Sequence, residues 1–119
     1  HINILQANAS TRCAGINAAA LALAHAGIPM KELVSSVSIG KLDKNLVVDV
    51  IKEEEDFEEG EGSTDIPITL TNSGKITHLQ LDGKITGKEL KEVLKLARKA
   101  NKEIYEVQKK ALKENKKLN

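Results

Sequence analysis

The sequence predicts an α+β domain, on three observations. A stretch of helical period stands near each end of the chain, at residues 11–26 and 86–112. Short runs of strand-forming residues, bounded by Gly, Asn, Asp and Pro, lie between them. The chain has 119 residues, room for one domain. The predicted order is β-α-β-β-β-β-α, with two helices packed on one mixed sheet.

The first strand is His1 to Ala7, where Ile2, Ile4 and Leu5 supply the apolar side. A strand this close to the start needs a partner, so the expectation is a preceding segment that is cleaved or carried on another polypeptide. Asn8-Ala9-Ser10 is a polar turn. Thr11 to Ala26 is a helix with Ala and Leu on nearly every side, which predicts central burial. Gly27 is its C-cap and Pro29 its exit. A short helical turn is expected at Lys31 to Val34. Ser35 to Ile39 and Leu46 to Val50 are strands around a turn at Asp43-Lys44-Asn45. An acidic loop follows from Ile51 to Asp65. Ile66 to Leu70 and Lys75 to Leu81 form a hairpin over Asn72-Ser73-Gly74. Thr86 caps the last helix, with Glu89 three residues on as a capping box.

Composition narrows the function. Hydrophobic residues make up 40% and aromatics 2%, so the core is aliphatic and base stacking on aromatic rings is nearly excluded. The formal net charge of +1 names no partner. The single cysteine, Cys13, excludes an internal disulfide or a Cys-based metal cluster and fits a reducing, cytoplasmic setting. No apolar run approaches the roughly 20 residues of a membrane span, and residues 1–30 do not follow a signal-peptide pattern.

Two places can carry chemistry. Ser10-Thr11-Arg12 stands where strand gives way to helix. A helix amino terminus presents unpaired N–H groups and a positive partial charge, and two hydroxyls and a guanidinium there would hold an anion such as phosphate. The alternative is that Ser10 or Thr11 caps the helix and Arg12 is solvated. The second place is the acidic loop. Clustered carboxylates suit Mg²⁺ or acid–base chemistry, while the alternative is a solvated charge run. Asp65, beside the strand Ile66-Pro67-Ile68, and Asp56, near the other end of the loop, are its leading candidates. The histidines lack partners at metal-ligand spacing. The lysines from Lys109 to Lys117 could meet nucleic-acid phosphates or simply end the helix.

Three segments resemble the RNase PH family of phosphorolytic exoribonucleases, and within it the catalytic ring subunits of archaeal exosomes. They are Leu5-Gln6-Ala7-Asn8-Ala9-Ser10-Thr11-Arg12-Cys13-Ala14-Gly15-Ile16-Asn17-Ala18-Ala19, then Ala24-His25-Ala26-Gly27-Ile28-Pro29-Met30, then Val47-Val48-Asp49-Val50 with Glu54-Glu55-Asp56 and Asp65-Ile66-Pro67-Ile68. Ile76 to Gly83 and Ile104 to Gln108 are also similar to it. The resemblance implies that residues 1–119 are the carboxyl-terminal half of an RNase PH-type domain. It implies phosphate binding by Ser10, Thr11 and Arg12, catalysis by Asp65 and Asp56, and Mg²⁺ held by the same two acids. Inorganic phosphate would be the co-substrate, attacking the RNA 3′ end to release nucleoside diphosphates.

The implied partners are the chain's own amino-terminal half, a homologous non-catalytic subunit in a hetero-hexameric ring, and an RNA-binding cap subunit. Asn8 stands where the family usually has Asp, and Ala9 and Ser10 where it often has two glycines. That departure keeps open a non-catalytic, RNA-binding scaffold subunit. Trimming of tRNA 3′ ends, as in bacterial relatives, is the other alternative.

Overall fold

The computed structural model describes residues 1–50, 58 and 62–116. Its elements are α1 (Thr11–His25), β1 (Val34–Leu42), β2 (Asn45–Val48), β3 (Ser63–Thr71), β4 (Ile76–Leu79) and α2 (Gly87–Lys116). The four strands form one sheet in the order β2-β1-β3-β4. Each neighbouring pair is antiparallel, so the sheet is not mixed as expected. Short connections explain the two outer pairs: β1 and β2 are joined by a tight turn at Asp43, whose φ is 54°, and β3 and β4 by the turn at residues 72–75. Such turns build antiparallel pairs, whereas parallel strands need long crossovers. The α+β class, with two helices on one sheet, is as the sequence predicts.

Alternation along the strands gives the sheet two unlike faces. Val37 and Ile39 of β1 lie opposite Ile68 and Ile66 of β3. With Leu70 they form the aliphatic core, completed by Val93 and Ala97 of α2. Ile39, Ile66 and Ile68 have no exposed surface, and each contributes about 1.5–3 kcal/mol of hydrophobic stabilisation. Ser36, Ser38, Asp65, Pro67 and Thr69 fall on the opposite face by the same register. α1 covers that face. Its Asn17 side chain donates to Ser36 O at 2.9 Å and accepts from Ser36 N at 2.6 Å. Ser36 pairs with β3 but lies beyond the end of β2, so Asn17 satisfies the β1 backbone on the side that β2 does not reach.

Three local expectations change. Residues 1–7 form no strand: Ile2, Ile4 and Leu5 are exposed at 57, 50 and 98%. Alternation marks a half-buried strand only where a sheet edge receives it, and no described strand pairs with these residues. Lys31 to Val34 is not helical, because Val34 already pairs with Thr71 as the start of β1. α1 is not centrally buried. Cys13 and Ala20 are buried on one side and Gly15 is buried against Ile2 on another, while Ala18, Ala22 and Leu23 are exposed. The capping box forms as expected, Glu89 N donating to Thr86 Oγ1 and Thr86 N to Glu89 Oε1, each at 3.2 Å.

Candidate active site

The turn before α1 is held in an unusual shape. Ala9 and Ser10 have φ of 45° and 50°, the left-handed region that disfavours residues with a Cβ. Ser10 occupies the N-cap position but makes no side-chain cap. Its Oγ instead donates to Val50 O at 2.7 Å, tying the turn to the end of the β2 segment. Thr11 Oγ1 is directed back to Ala9 O at 3.4 Å. The simple capping role open to Ser10 is therefore not the one it adopts. Neither the Ser10 nor the Thr11 hydroxyl caps the first turn of α1, whose N–H groups and positive dipole end suit an anion.

The facing wall comes from the sheet. β1 runs to Leu42 and pairs with β3 from Ser63, so Asp65 lies inside β3 opposite Gly40 rather than at the end of a loop. Ser38 Oγ donates to Asp65 Oδ1. Asp65 and Asp82 exchange backbone hydrogen bonds of 3.2 Å, a pairing that projects both side chains to one face. Two residues along, Gln80 N donates to Pro67 O at 3.1 Å. Pro67 has no N–H to give in return, so the ladder is half-made there and β4 ends at Leu79. Arg12 Nη1 reaches across from α1 to Gln80 Oε1 at 2.7 Å.

Between the walls is an open cavity of about 370 Å³. Ala9, Ser10, Thr11, Arg12 and Cys13 line one side; Ser38, Asp65, Pro67, Gln80 and Asp82 line the other. Four of the five residues predicted from sequence, Ser10, Thr11, Arg12 and Asp65, thus share one cavity. Asp56, the fifth, lies outside the described residues, as does most of the acidic loop.

Cys13 is buried at 5% exposure. Burial pushes its thiol pKa up against the opposing hydrogen bond with Ser36, and the Asp65 and Asp49 carboxylates push it further. It is a protonated, structural thiol at neutral pH.

Sequence reasoning missed Ser38, Gln80 and Asp82. Their signals are weak because each is one polar residue in a strand or turn, and only the pairing of three strands assembles them. Gln80 and Asp82 do sit within the Ile76 to Gly83 stretch that resembles exosome subunits. A second cleft of about 410 Å³, between the end of α1 and α2, is lined by Ile28, Met30, Tyr105 and Lys109 and holds none of the predicted site residues.

The profile described as "3' exoribonuclease family, domain 2" matches residues 32–100, more than half of the chain. The chain belongs to this family. It is 46% identical over 101 residues to "Exosome complex component Rrp41" of Methanosarcina mazei, covering 85% of this chain and 20% of that one. It is 48% identical over 102 residues to the protein of the same description from Thermococcus kodakarensis, covering 85% and 39%. The chain therefore spans between about a fifth and two fifths of the length of these relatives. The crystal structure of rice Rrp46 superposes with a TM-score of 0.80 over 92% of this chain and 51% of that one, at 22% identity, which shows the shared fold. The RNase PH resemblance read from the sequence is borne out at the level of family. The exoribonuclease profile covers Asp65, Gln80 and Asp82, while Ser10 to Arg12 precede it. Among the described residues no helix is long and apolar enough to cross a membrane.

Proposed function

We propose that the chain is the carboxyl-terminal half of the catalytic subunit of an exosome-like ring, a phosphate-dependent 3′→5′ exoribonuclease. The observation that carries this reading is the single cavity that sets an uncapped helix terminus and Arg12 against Asp65. The family description, a 3′ exoribonuclease, supplies the substrate class, and the relatives' names supply the exosome.

In this reading the α1 terminus, Ser10, Thr11 and Arg12 hold inorganic phosphate. One of its oxygens forms a bond to the terminal phosphorus of the RNA. The bond from that phosphorus to the 3′ oxygen of the preceding nucleotide breaks, and a nucleoside diphosphate leaves. The departing 3′ oxygen takes a proton, for which Asp65 is the acid–base candidate, with Asp56. Arg12 offsets charge that builds on the equatorial oxygens.

The donor set fits Mg²⁺. Asp65 and Asp82 offer the hard oxygens that Mg²⁺ takes, and one or two carboxylates plus substrate are enough to hold it. Mg²⁺ held by Asp65 and Asp56 would supply Lewis-acid stabilisation of the leaving oxygen.

The surface supports a longer polypeptide in a ring. Ile76, Leu79 and Leu81 along the β4 edge are exposed at 41, 39 and 43%, and the outer face of α1 is apolar and bare. An open strand edge with apolar side chains is a pairing site. In this reading the amino-terminal half, the homologous ring subunit and a cap subunit cover such surfaces, in the cytoplasm. The strained Ala9 and Ser10 favour one rival, a scaffold subunit that binds RNA without cleaving it.

Incubating the full-length subunit, assembled with its ring partner, with poly(A) RNA tests the proposal. Release of nucleoside diphosphates only when inorganic phosphate is present supports it. A stable ring that binds RNA and releases nothing favours the scaffold.

A further inference from the structure

Arg12 meets a neutral amide in the cavity. Its Nη1 donates to Gln80 Oε1 at 2.7 Å, joining residues 68 positions apart in sequence. A guanidinium has donors only, so the amide oxygen must face it and the amide NH₂ must turn elsewhere. Gln80 is itself held in place. Its N–H donates to Pro67 O at 3.1 Å, β3–β4 pairing lies on one side, and the Asp65–Asp82 bridge lies on the other. The hydrogen bond is therefore a strut from the sheet to the tip of a long, otherwise mobile side chain. A carboxylate in this place would orient Arg12 too, but would neutralise it and repel an incoming anion. An amide orients it and leaves its charge directed at the cavity.

We infer that Gln80 is a positioning residue: it orients the Arg12 guanidinium without adding a charge of its own, and thereby sets the affinity of the cavity for phosphate. The inference rests on the phosphate reading proposed above. No contact of Gln80 with RNA is invoked.

Two variants of the full-length subunit in its assembled ring test this. Gln80→Met keeps the length and packing of the side chain but has no comparable acceptor. Gln80→Glu keeps the acceptor and adds a charge. Inorganic phosphate binding is measured by calorimetry, and KM for phosphate and for poly(A) RNA by nucleoside diphosphate release. Loss of one such hydrogen bond corresponds to about three- to tenfold in affinity. Gln80→Met is expected to raise the Kd and KM for phosphate by about that factor, with KM for RNA and the melting temperature unchanged. Gln80→Glu is expected to raise them more than Gln80→Met.

Wild-type phosphate affinity in Gln80→Met overturns the inference. So does a Gln80→Glu ring that binds phosphate as tightly as wild type, and so does a Gln80→Met ring that loses RNA affinity and melting temperature along with phosphate. A wild-type ring that binds phosphate but releases no diphosphate overturns the catalytic reading alone, and the Kd values still judge Gln80. A wild-type ring that binds no phosphate overturns both.

Discussion

Ser38 Oγ donates a hydrogen bond to Asp65 Oδ1, across the β1–β3 pair and on the polar face of the sheet. Ser38 is 2% exposed, so no water easily replaces its hydroxyl. The bond fixes one oxygen of Asp65 and leaves the carboxyl group facing the cavity. Hydrogen bonds to charged groups contribute about 1.5–3 kcal/mol. Ser38→Ala is expected to lower the unfolding free energy by about 1–3 kcal/mol in urea titrations. In an active ring it should lower kcat with little change in the phosphate KM, because Ser10, Thr11 and Arg12, the groups proposed to hold phosphate, are untouched.

Asn17 makes the main polar contact between α1 and β1. Both of its bonds go to the backbone of Ser36, which lies beyond the reach of β2. Asn17→Ala would leave a backbone N–H and a C=O unsatisfied under the helix, and each such group costs about 1–3 kcal/mol. The expected loss is about 2–4 kcal/mol, measured by chemical denaturation. Asn17→Asp keeps the acceptor and loses the donor, so its loss should be smaller than that of Asn17→Ala if the Ser36 N–H is the costlier group to strand.

Ala9 adopts φ of 45° in the turn that opens the α1 side of the cavity. A left-handed conformation costs a residue with a Cβ about 1–2 kcal/mol, and glycine escapes that cost at some loss of chain entropy on folding. Ala9→Gly is expected to stabilise the folded chain by about 0.5–1 kcal/mol. Ser10→Gly relieves the same strain but removes the bond to Val50 O, so its net effect should lie below that of Ala9→Gly. Matched melting curves for the two variants check the order.

Much of this architecture is legible in the sequence because it is local. Thr11 begins α1, and helical period with a Gly27 exit places its end within one residue. The Thr86 and Glu89 capping box is a four-residue signal and forms as such. The cavity is half legible. Ser10, Thr11 and Arg12 are contiguous at a helix start, a pattern with a physical meaning of its own. Asp65 stands out beside its strand, but its place inside β3 depends on how far β1 extends to pair with it. Gln80 faces Arg12 only because Pro67 and the Asp65–Asp82 bridge set the end of β4. The polar face is the least legible part. Val34-Ser35-Ser36-Val37-Ser38-Ile39 alternates imperfectly, and hydropathy alone assigns such serines to solvent. In the fold Ser36, Ser38 and Thr69 are buried, satisfied by Asn17, Asp65, Ile68 O and one another.

Gly40 tests the fit between the sheet and the turn. A Cβ at this position would stand 2.5 Å from Val50 Cγ2 and 3.1 Å from Val47 Cγ2. Val50 is buried, and its carbonyl holds Ser10, so it cannot retreat without moving the turn. Overpacking of this kind costs about 1–3 kcal/mol. Gly40→Ala is expected to destabilise by that amount and to weaken phosphate binding as well. A variant that loses stability but keeps wild-type phosphate affinity would show that the Val50–Ser10 tie does not shape the cavity.

Lys41 and Glu89 form an ion pair at 2.8 Å, with the Lys41 side chain 6% exposed and that of Glu89 26%. The Glu89 carboxyl pKa is held below the ordinary glutamate range, first by its bond with Lys41 and then by Thr86 of the capping box. A carboxylate whose pKa is lower folded than unfolded stabilises the fold most where it is ionised in both states. That contribution is complete well above the ordinary glutamate value of about 4.3. It is lost as the pH falls through the lower folded-state value, when the native chain must also take up the proton. Glu89→Gln can still complete the capping box but cannot pair with the Lys41 charge. Thermal melting should therefore show Glu89→Gln less stable than wild type at about pH 7. The gap should hold down to about pH 5 and close as the pH drops below the glutamate range. A gap that stayed constant into acid would mean that the glutamine variant loses helix capping or packing rather than charge. A gap absent at neutral pH would mean that the pair on the rim of the core adds nothing, and that Lys41 is held by the rest of its surroundings.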